Sequence, residues 1–412
     1  MNSRQRILSA IDHVEPQGLP VDLGATPSSG ISAMAYDRLL EYLPLNDRRN
    51  WVYDVVQQVA QPSDEVLDHF HIDVVDLGRM FNQHDSNWVD YTLPNGRPAQ
   101  HPIWFRTSRQ EDGSTLAYQN GEAIAVMPAS AFSYDQTVFP FLDGYPDVYG
   151  ENMDIAMGRI HWAAFAHSPW DHAAEPDFWE QLRSKALFMR ENSDRAIVLS
   201  AGCNLFEWGT FVRRLDNFIM DLVRDPSGVE RFLDALMVRH LASLEKICQA
   251  VGDVVDIIRL GDDLGMNTGP IMSPKMYQRL FKPRHTNLCK YIHEHSSMHT
   301  FLHSCGDIFK LIPDLVDAGF EILNPAQTNT PGMEPVRLKK EFGSQVTFWG
   351  GGADTRSILN RGTPQQVRDH VRRNIEILSP GGGFVFNTIH NILPDVPPEN
   401  IVAMFEAVDE YR

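Results

Sequence analysis

Residues 299–324 read HTFLHSCGDIFKLIPDLVDAGFEILN, in which a short apolar run ends in polar and glycine residues before a helical pattern and a second apolar run. This order predicts a strand, a helix and a second strand parallel to the first. In the second half of the chain, strands are predicted at 254–261 (VVDIIRLG), 299–303 (HTFLH), 320–324 (FEILN), 346–351 (VTFWGG) and 383–388 (GFVFNT). The pattern therefore indicates repeated βα units and a parallel sheet.

The segments between these strands carry helix-start signals. Ser273-Pro274 and Thr363-Pro364 each place a capping hydroxyl before a proline in the first helical turn. Three further strands are predicted in the first half of the chain, at 19–23 (LPVDL), 71–77 (HIDVVDL) and 196–201 (AIVLSA). Because eight parallel strands with intervening helices close into a barrel, we predict an α/β fold in which residues 1–412 form a single (β/α)8 TIM-barrel domain.

A barrel of this type needs only about 250 residues, so the remaining length of the chain predicts an insertion, at about 82–180. Asn95-Gly96 and Asn120-Gly121 stand between alternating stretches, which predicts β-hairpins within 82–135. Residues 136–180 are rich in proline and aromatic residues, and we expect partly helical cover over the site. The aromatic residues interpreted as core or lid are Trp162, Phe165 and Trp170.

The composition excludes several classes of partner. Lys and Arg number 36 against 54 Asp and Glu, the net charge is −18, and no basic run occurs. Nucleic acids and anionic membrane surfaces are therefore not expected as partners. The N-terminal residues lack the apolar segment of a secretion signal, no run of about 18 apolar residues occurs, and the four cysteines are scattered. We expect a cytoplasmic protein without a disulfide framework.

In a barrel of parallel strands, catalytic residues lie where the strands end. The residues that follow the predicted strands are mostly polar, and they include Asp22, Asp76, Cys203, Glu207, Asp262, Asp263, His303, Cys305, Asn324, Gln327, Asp354, Asn387, His390 and Asn391. Within this set, we predict catalytic roles for Asp262, Asp263, Glu207 and Asp354. We predict substrate binding by Asn324, Gln327, Asn387 and Asp22.

His303 and Cys305 are the most specific of these residues. Side chains two residues apart at a strand end point to the same side, and imidazole and thiolate are preferred zinc ligands. A third ligand is expected from the rim of the barrel, with His390 the best placed and Cys203 its rival. The alternative for the pair is a hydrogen-bonded core histidine beside a buried, apolar cysteine.

The predicted acids also have two interpretations. Asp262, Asp263 and Glu207 would each provide an oxygen ligand or a general base, whereas an Asp pair at a strand end is also typical of a helix N-cap with a solvated neighbour. The glycines at 350–352 lack the motif of a phosphate-binding loop. Close packing of these glycines would instead direct Asp354 to the barrel mouth.

Several segments resemble one known family. They are SRQRILSAIDHVEPQGLPVDLG (3–24), LHSCGDIFKLIPDLVDAGFEILNP (302–325), FWGGGADTRSIL (348–359) and GGGFVFNTIHNILPDVPPENIVAMFEAV (381–408), and they resemble the uroporphyrinogen decarboxylase superfamily. That superfamily also contains zinc-dependent methyltransferases that act with corrinoid proteins and coenzyme M, and in motif the chain is most similar to this branch. The resemblance implies a TIM barrel over nearly the whole chain, the central insertion excepted, and a homodimer.

The resemblance also implies a metal site. In the corrinoid-linked branch, zinc is held by a His-x-Cys pair and by a Cys near the last strand. These positions fall on His303, Cys305 and His390, so a histidine replaces the usual second cysteine. Uroporphyrinogen decarboxylase itself uses no metal and binds its substrate through an arginine-bearing loop, whereas residues 21–30 here read VDLGATPSSG. A porphyrinogen substrate is therefore not expected.

Three functions stay open at this point. The first is a zinc-dependent methyltransferase or demethylase that moves a methyl group between a small substrate and a corrinoid protein or thiol acceptor. Because the chain lacks the Asp-x-His-x-x-Gly signature, a separate partner protein would carry the corrinoid. The second is a metal-dependent lyase, hydrolase or decarboxylase acting on a small oxygenated molecule, with Asp262 or Asp263 as base and His390 as acid. The third is a noncatalytic subunit that binds a small ligand or a corrinoid protein.

Overall fold

Parallel strands form the centre of the computed structural model, which describes residues 1–164 and 167–412. The strands, in chain order, are β1 (Ile31–Ser32), β2 (Val52–Asp54), β3 (Val59–Ala60), β4 (Val74–Asp76), β5 (Trp88–Thr92), β6 (Pro98–Pro102), β7 (Arg106–Arg109), β8 (Thr115–Gln119), β9 (Glu122–Met127), β10 (Asp135–Gln136), β11 (Ala196–Gly202), β12 (Ile257–Gly261), β13 (Gly265–Met266), β14 (Gly269–Pro270), β15 (His299–His303), β16 (Ile322–Asn324), β17 (Thr347–Trp349) and β18 (Phe384–Val385). One parallel sheet runs in the order β4-β11-β12-β15-β16-β17-β18.

Residues 20–22 close this sheet into a barrel. Val21 pairs in parallel with Phe386, and the Asp22 amide donates to the Phe386 carbonyl at 2.9 Å. At the opposite edge, the Asp73 amide donates to the Val21 carbonyl, also at 2.9 Å, just before β4. The segment takes the place of the eighth strand, so the predicted TIM-barrel fold is confirmed.

Each predicted strand segment occupies a barrel position, but several strands are shorter than predicted. The segment 254–261 becomes extended only at Ile257, because the amides of Val254 and Val255 still bond to the Val251 carbonyl at the end of the preceding helix. In 383–388, only Phe384–Val385 forms a strand. The apolar runs therefore located the strands but not their ends.

The helices pack around the sheet. In chain order they are α1 (Ser3–Ile11), α2 (Ala33–Tyr42), α3 (Asp64–His69), α4 (Gly150–Arg159), α5 (His161–Ala164), α6 (Phe178–Asn192), α7 (Phe206–Arg213), α8 (Leu215–Arg224), α9 (Pro226–Val251), α10 (Pro274–Leu280), α11 (Lys282–His295), α12 (Ile312–Asp317), α13 (Pro335–Phe342), α14 (Pro364–Leu378) and α15 (Pro398–Asp409). Within the described residues, none of these helices has the length and apolar character needed to cross a membrane.

Both predicted helix starts are confirmed. The Ser273 hydroxyl accepts a hydrogen bond from the Met276 amide at 3.2 Å, and the Thr363 hydroxyl accepts one from the Gln366 amide at 3.3 Å. Each bond satisfies an amide that has no partner within its own helix. The caps therefore fix the start of α10 and of α14.

Two predicted hairpins lie between β4 and β11. The Asn95-Gly96 turn joins β5 to β6, and the Asn120-Gly121 turn joins β8 to β9. Asn120 and Gly121 have positive φ values of 51° and 83°, as a two-residue hairpin of type I′ requires. The hairpins therefore form where the Asn-Gly pairs predict them.

Helices α4 and α5 lie in 136–180, where the sequence predicts helical content. Trp162 and Trp170 are buried, whereas Phe165 lies outside the described residues. We propose that 82–180 is an insertion into a single barrel domain formed by residues 1–412.

The interior of the barrel has an apolar layer beneath a polar layer. The residues that pack together inside the barrel include Val74, Val198, Ile257, Phe301 and Ile322. Because side chains alternate along a strand, the residues two positions further on also face inward. Those residues are Asp76, Ser200, Arg259, His303 and Asn324. The candidate site therefore has an apolar floor and polar walls.

Helix α1 covers the opposite end of the barrel. Ile7, Ala10 and Ile11 belong to the same apolar cluster as the inner layer. Arg6 of this helix pairs with the fully buried carboxylate of Asp73 at 2.5 Å, just before β4. The lower end of the barrel is therefore closed, and the open end is the one at which the strands terminate.

Asp22 is a buried carboxylate at the point where the barrel closes. Its Oδ1 accepts from the Ala25 amide at 2.9 Å, and its Oδ2 accepts from the Trp349 indole at 2.8 Å. Burial raises the pKa of Asp22 to about 6, against the lowering effect of these hydrogen bonds. Between the ordinary pKa and this raised pKa, the folded chain holds a proton that the unfolded chain has released, so stability falls as pH rises through this range.

We predict that Asp22→Asn removes this dependence of stability on pH. Relative to the variant, the wild type should gain about 2 to 3 kcal/mol of unfolding free energy between pH 7.5 and pH 4, because one pKa unit corresponds to about 1.4 kcal/mol. Asn has one acceptor oxygen where Asp has two. The lost hydrogen bond changes the free energy of unfolding by an amount that does not vary with pH. Urea unfolding of both proteins measures the difference, and a difference constant with pH would contradict the assignment.

Candidate metal centre

The three predicted metal ligands come together at the open end of the barrel. His303 ends β15, Cys305 follows it by two residues, and His390 lies in the loop after β18. One ligand atom from each residue lies within 4.8 Å of the others. The His303 Nε2 and Cys305 Sγ atoms are 3.4 Å apart. Across residues 1–164 and 167–412, no other group of three or more His, Cys, Asp or Glu side chains lies close enough together to hold a metal ion.

Cys203, the alternative third ligand, is not part of this group. Its Sγ atom lies 3.7 Å from the Ala201 carbonyl oxygen, and the side chain is buried. Burial raises the pKa of the Cys203 thiol to about 12. The structure thus places His390, and not Cys203, beside His303.

Hydrogen bonds fix the orientation of the His303 ring. The Asn324 side-chain amide donates to the Trp349 carbonyl at 2.9 Å, which turns its Oδ1 towards His303 Nδ1 at 2.8 Å. Ser28 Oγ also donates to this Oδ1, at 3.1 Å. Since Oδ1 can only accept, Nδ1 of His303 must carry the proton, and Nε2 is left with a free lone pair facing Cys305.

His390 is oriented in a similar way. Its Nδ1 lies 3.0 Å from the Asn391 Oδ1 atom, and the Asn391 side-chain amide donates to Gln57 Oε1 at 3.2 Å. Nδ1 of His390 therefore donates, and Nε2 is the nitrogen available to a metal. Both histidines meet the usual requirement that a ligating imidazole is held through its other nitrogen.

The protonation states of the three residues suit a cation. Burial and, to a smaller extent, the positive charge of Arg259 lower the pKa of His303 to about 4. Burial also lowers the pKa of His390, so both imidazoles are neutral at neutral pH. Burial, with the nearby charges of Asp263 and Glu207, raises the pKa of Cys305 well above its ordinary value. A bound cation would reverse this effect, because it stabilises a thiolate ligand.

Two of the predicted catalytic acids lie beside the metal group. The Asp263 Oδ1 atom accepts from the Cys305 amide at 2.9 Å and is 3.5 Å from His303 Nε2. Glu207 accepts a hydrogen bond from the Asn204 side-chain amide. Burial, followed by the charges of neighbouring acids, raises the pKa of Glu207 well above its ordinary value. Burial therefore favours the protonated form of Glu207, which is near enough to Cys305 to influence the pKa of its thiol.

Asp262 has a different environment from the one expected for a general base. Its Oδ1 accepts from the backbone amides of Leu205, Phe206 and Glu207 at 2.7 to 3.2 Å, where α7 begins. Its Oδ2 lies 3.1 Å from His285 Nε2, and the residue is fully buried. Both oxygens are occupied, so the geometry supports a helix-capping role and gives no support to catalysis by Asp262.

The side chains of Asp354 and Gln327 also accept hydrogen bonds from backbone amides of the fold. Asp354 Oδ1 accepts from the backbone amides of Arg356 and Ser357, at 2.8 and 3.3 Å. Gln327 Oε1 accepts from the Gly306 amide at 2.7 Å, directly after Cys305. Asp354 shapes the turn after β17 and Gln327 holds the ligand loop, so neither position supports the predicted catalytic or substrate-binding role.

The other predicted substrate-binding residues are buried in hydrogen-bonded positions. Asn387 donates to the carbonyl oxygens of Asp22 and Ser29, at 2.9 and 3.1 Å. Asn324, Asn387 and Asp22 are at most 2% exposed. Their hydrogen bonds join strand ends to loops or orient His303, and the Oδ1 atom of Asn387 is buried without a hydrogen-bond partner within the described residues.

The sequence analysis missed Arg259. This residue stands in the middle of the predicted strand VVDIIRLG, and its Nε atom is buried without a hydrogen-bond partner in the described part of the chain. An arginine inside an otherwise apolar strand was the available signal, because period-two alternation from Ile257 directs it into the barrel. Strand-end residues alone do not identify it.

Comparison with known proteins places the chain in a family of enzymes. The family model described as "Uroporphyrinogen decarboxylase (URO-D)" matches residues 206–411, which is half of the chain. A uroporphyrinogen decarboxylase of Methylococcus capsulatus is 33% identical over 97 residues, which are 24% of this chain and 26% of that protein. A methylcobamide:CoM methyltransferase MtaA of Methanosarcina barkeri is 28% identical over 184 residues, which are 44% of this chain and 49% of that protein. The chain spans about half or less of the length of these relatives.

Structural comparison agrees on the fold. A methyltransferase from Methanosarcina mazei superposes with a TM-score of 0.57 at 15% sequence identity, over 100% of this chain and 99% of that chain. At this identity the similarity concerns the fold alone. The match of the family model to residues 206–411 shows that the chain belongs to the uroporphyrinogen decarboxylase (URO-D) family.

Proposed function

We propose that this protein is a zinc-dependent methyltransferase that moves a methyl group between a small substrate and a corrinoid protein or thiol acceptor. The observation that carries the proposal is the convergence of His303, Cys305 and His390 at the open end of the barrel. The similarity to a methylcobamide:CoM methyltransferase supports the same reaction class. The resemblance seen in the sequence favours a separate corrinoid protein as partner and a homodimer as the assembly.

The donor set fits zinc. Two imidazole nitrogens and one thiolate are ligands that zinc prefers, with bonds of about 2.0 to 2.3 Å. Tetrahedral geometry with these bonds separates a nitrogen and a sulfur ligand by about 3.6 Å. The His303 Nε2 and Cys305 Sγ atoms, 3.4 Å apart, are close to this separation. Three protein ligands leave one of four positions open, which is typical of catalytic zinc sites.

When bound, zinc would act as a Lewis acid that lowers the pKa of a coordinated thiol or polarises a substrate oxygen. The residues of the chain supply position and protons. Asn324 and Asn391 hold the two imidazoles with Nε2 exposed. Asp263 fixes the backbone of Cys305, and Glu207, whose pKa is raised by burial, would supply a proton to a substrate bound beside the metal group.

A metal-dependent lyase, hydrolase or decarboxylase is the second candidate function. Glu207 is the observation that favours it, because burial raises the pKa of this carboxyl group, and a carboxyl group with a raised pKa suits general acid catalysis. Glu207, and not His390, would then be the acid, since His390 lies among the metal ligands. The two candidates share the metal site and differ in whether a methyl group is transferred.

The first prediction of this proposal concerns metal content. Purified wild type should carry about one zinc per chain, and His303→Ala, Cys305→Ala and His390→Ala should each lose it, because two remaining ligands bind zinc weakly. Asn391→Ala, which removes only the support of His390, should weaken zinc binding about 10- to 100-fold. Elemental mass spectrometry and competition with a chelator measure both effects.

The matched control for metal content is Cys289→Ala. Cys289 is a buried cysteine on α11, outside the metal group, so this variant should keep its zinc. Wild type that is folded but takes up no zinc would refute the proposal. Zinc retained in all three ligand variants would refute the assigned residues.

The second prediction concerns the reaction. Zinc-loaded wild type, mixed with methylcobalamin and a small thiol, should transfer the methyl group from cobalt to sulfur, with release of the thiol proton and formation of cob(I)alamin. Absorbance spectroscopy under anaerobic conditions follows the cobalamin. Cys305→Ala should be at least about 100-fold slower, because the metal ion that activates the thiol is lost. Full zinc occupancy without methyl transfer to any thiol tested would favour the lyase candidate.

A further inference from the structure

The two candidate imidazole ligands differ in what holds them. Behind His303, the Asn324 side chain donates to the Trp349 carbonyl oxygen. This acceptor belongs to strand β17, so the barrel itself sets the direction of the Asn324 amide. Because a strand carbonyl cannot exchange its oxygen for a donor, the Asn324 oxygen stays directed at His303.

His390 is held through two side chains in series. Its Nδ1 donates to Asn391 Oδ1 at 3.0 Å, and Asn391 Nδ2 donates to Gln57 Oε1 at 3.2 Å. A side-chain amide can rotate by 180° and present its nitrogen where its oxygen was. If Asn391 turned in this way, it would donate to His390 Nδ1, and the imidazole proton would move to Nε2, the nitrogen that a metal needs. The Gln57 oxygen therefore disfavours the arrangement that cannot bind a metal.

Gln57 belongs to a tight turn between β2 and β3. Asp54 Oδ1 accepts from the Gln57 amide at 2.8 Å, and Gln58 Nε2 donates to the Val55 carbonyl at 2.7 Å. Gln58 is 1% exposed and has a φ of 56°, in the left-handed region that residues other than glycine rarely adopt. Its carbonyl accepts from the Ala33 amide at 2.9 Å. Strained backbone of this kind persists only where the surrounding contacts hold it, so the turn is a defined support for Gln57.

The same turn carries the flap, which we define as the four-stranded sheet of β7, β8, β9 and β10. The Tyr134 amide, just before β10, donates to the Val56 carbonyl at 2.9 Å. Val55 is fully buried in the apolar cluster of the flap, which also contains Ile124 of β9. Because Val56 immediately precedes Gln57, a shift of the flap against the turn moves the Gln57 side chain.

We propose that Gln57 is a positioning residue for His390, and that the flap keeps Gln57 in place through Val56. This inference rests on the proposed function, since it names what makes the third metal ligand available. With the flap seated on the turn, Gln57 and Asn391 leave His390 Nε2 free for the metal. With the flap displaced, the two amides lose their anchor and His390 becomes a weaker ligand. His303 is unaffected, because the barrel holds it.

Nitrogen NMR of the metal-free protein, with labelled histidine side chains, tests the positioning directly. In wild type, His303 and His390 should both carry their proton on Nδ1. Gln57→Met keeps the size of the side chain but removes the amide oxygen, so His390 should shift towards the form with the proton on Nε2, whereas His303 should not change. Gln57→Glu keeps acceptor oxygens and should resemble wild type. The spectrum of His390→Ala identifies the His390 signal.

Competition with a chelator measures the consequence for zinc binding. Gln57→Met should bind zinc about tenfold more weakly than wild type, because it removes an outer partner of a ligating histidine. Gln57→Glu should stay within about threefold of wild type. Ile124→Ala, which removes an apolar contact within the flap, should weaken zinc binding by about two- to tenfold through the turn.

Gln100→Met is the matched control. Gln100 lies in β6, outside the turn, and its amide oxygen accepts from the Trp51 indole at 3.0 Å. Loss of this amide should leave zinc affinity and the His390 signal as in wild type. An unchanged His303 signal shows that a variant keeps its folded barrel.

The outcomes separate this inference from the proposed function. An unchanged His390 signal in Gln57→Met, or a zinc affinity equal to that of wild type, would overturn the role of Gln57. Wild-type zinc affinity in folded Ile124→Ala would overturn the coupling to the flap. A shifted His390 signal in Gln57→Met, in a protein whose wild type binds no zinc, would refute the proposed function and leave the positioning role standing.

Discussion

The alternation of side chains along the barrel strands is the constraint on which the site depends. Where a strand contributes an apolar side chain to the interior, the side chain two residues later also points inward, close to the end of the strand. Val74, Ile257 and Phe301 fill the inner layer, and Asp76, Arg259 and His303 follow them. The same geometry that packs the floor of the barrel therefore gathers polar side chains above it.

The cost of burying polar groups divides this upper layer into two kinds of residue. Asn324 and Asp22 make hydrogen bonds to other protein groups: Asn324 orients His303, and Asp22 holds the Trp349 indole. Arg259 and Ser200 are left with buried, unpaired polar atoms. Because an unpaired buried group is unfavourable, the first kind stabilises the scaffold and the second kind marks where a ligand is expected.

Much of this arrangement could be predicted from local sequence, because local rules determine it. Short apolar runs located the barrel strands, Asn-Gly pairs located the hairpins, and the His303-Ser304-Cys305 spacing pointed to the metal group. Helix capping was one of two interpretations of Asp262, but the choice between them could not be made locally, because the amides it caps belong to residues 205–207, which only folding brings to it. The choice of His390 over Cys203 also depends on how the barrel closes.

The central claim is that two histidines and one cysteine hold a zinc ion at the open end of this barrel. X-ray absorption at the zinc edge of the loaded protein tests it most directly. The account predicts one sulfur at about 2.3 Å, imidazole scattering from two histidines at about 2.0 Å, and one further light atom in the open position. Loss of the sulfur signal in Cys305→Ser would confirm its source. A spectrum with two sulfurs, or with none, would contradict the assignment of His303, Cys305 and His390.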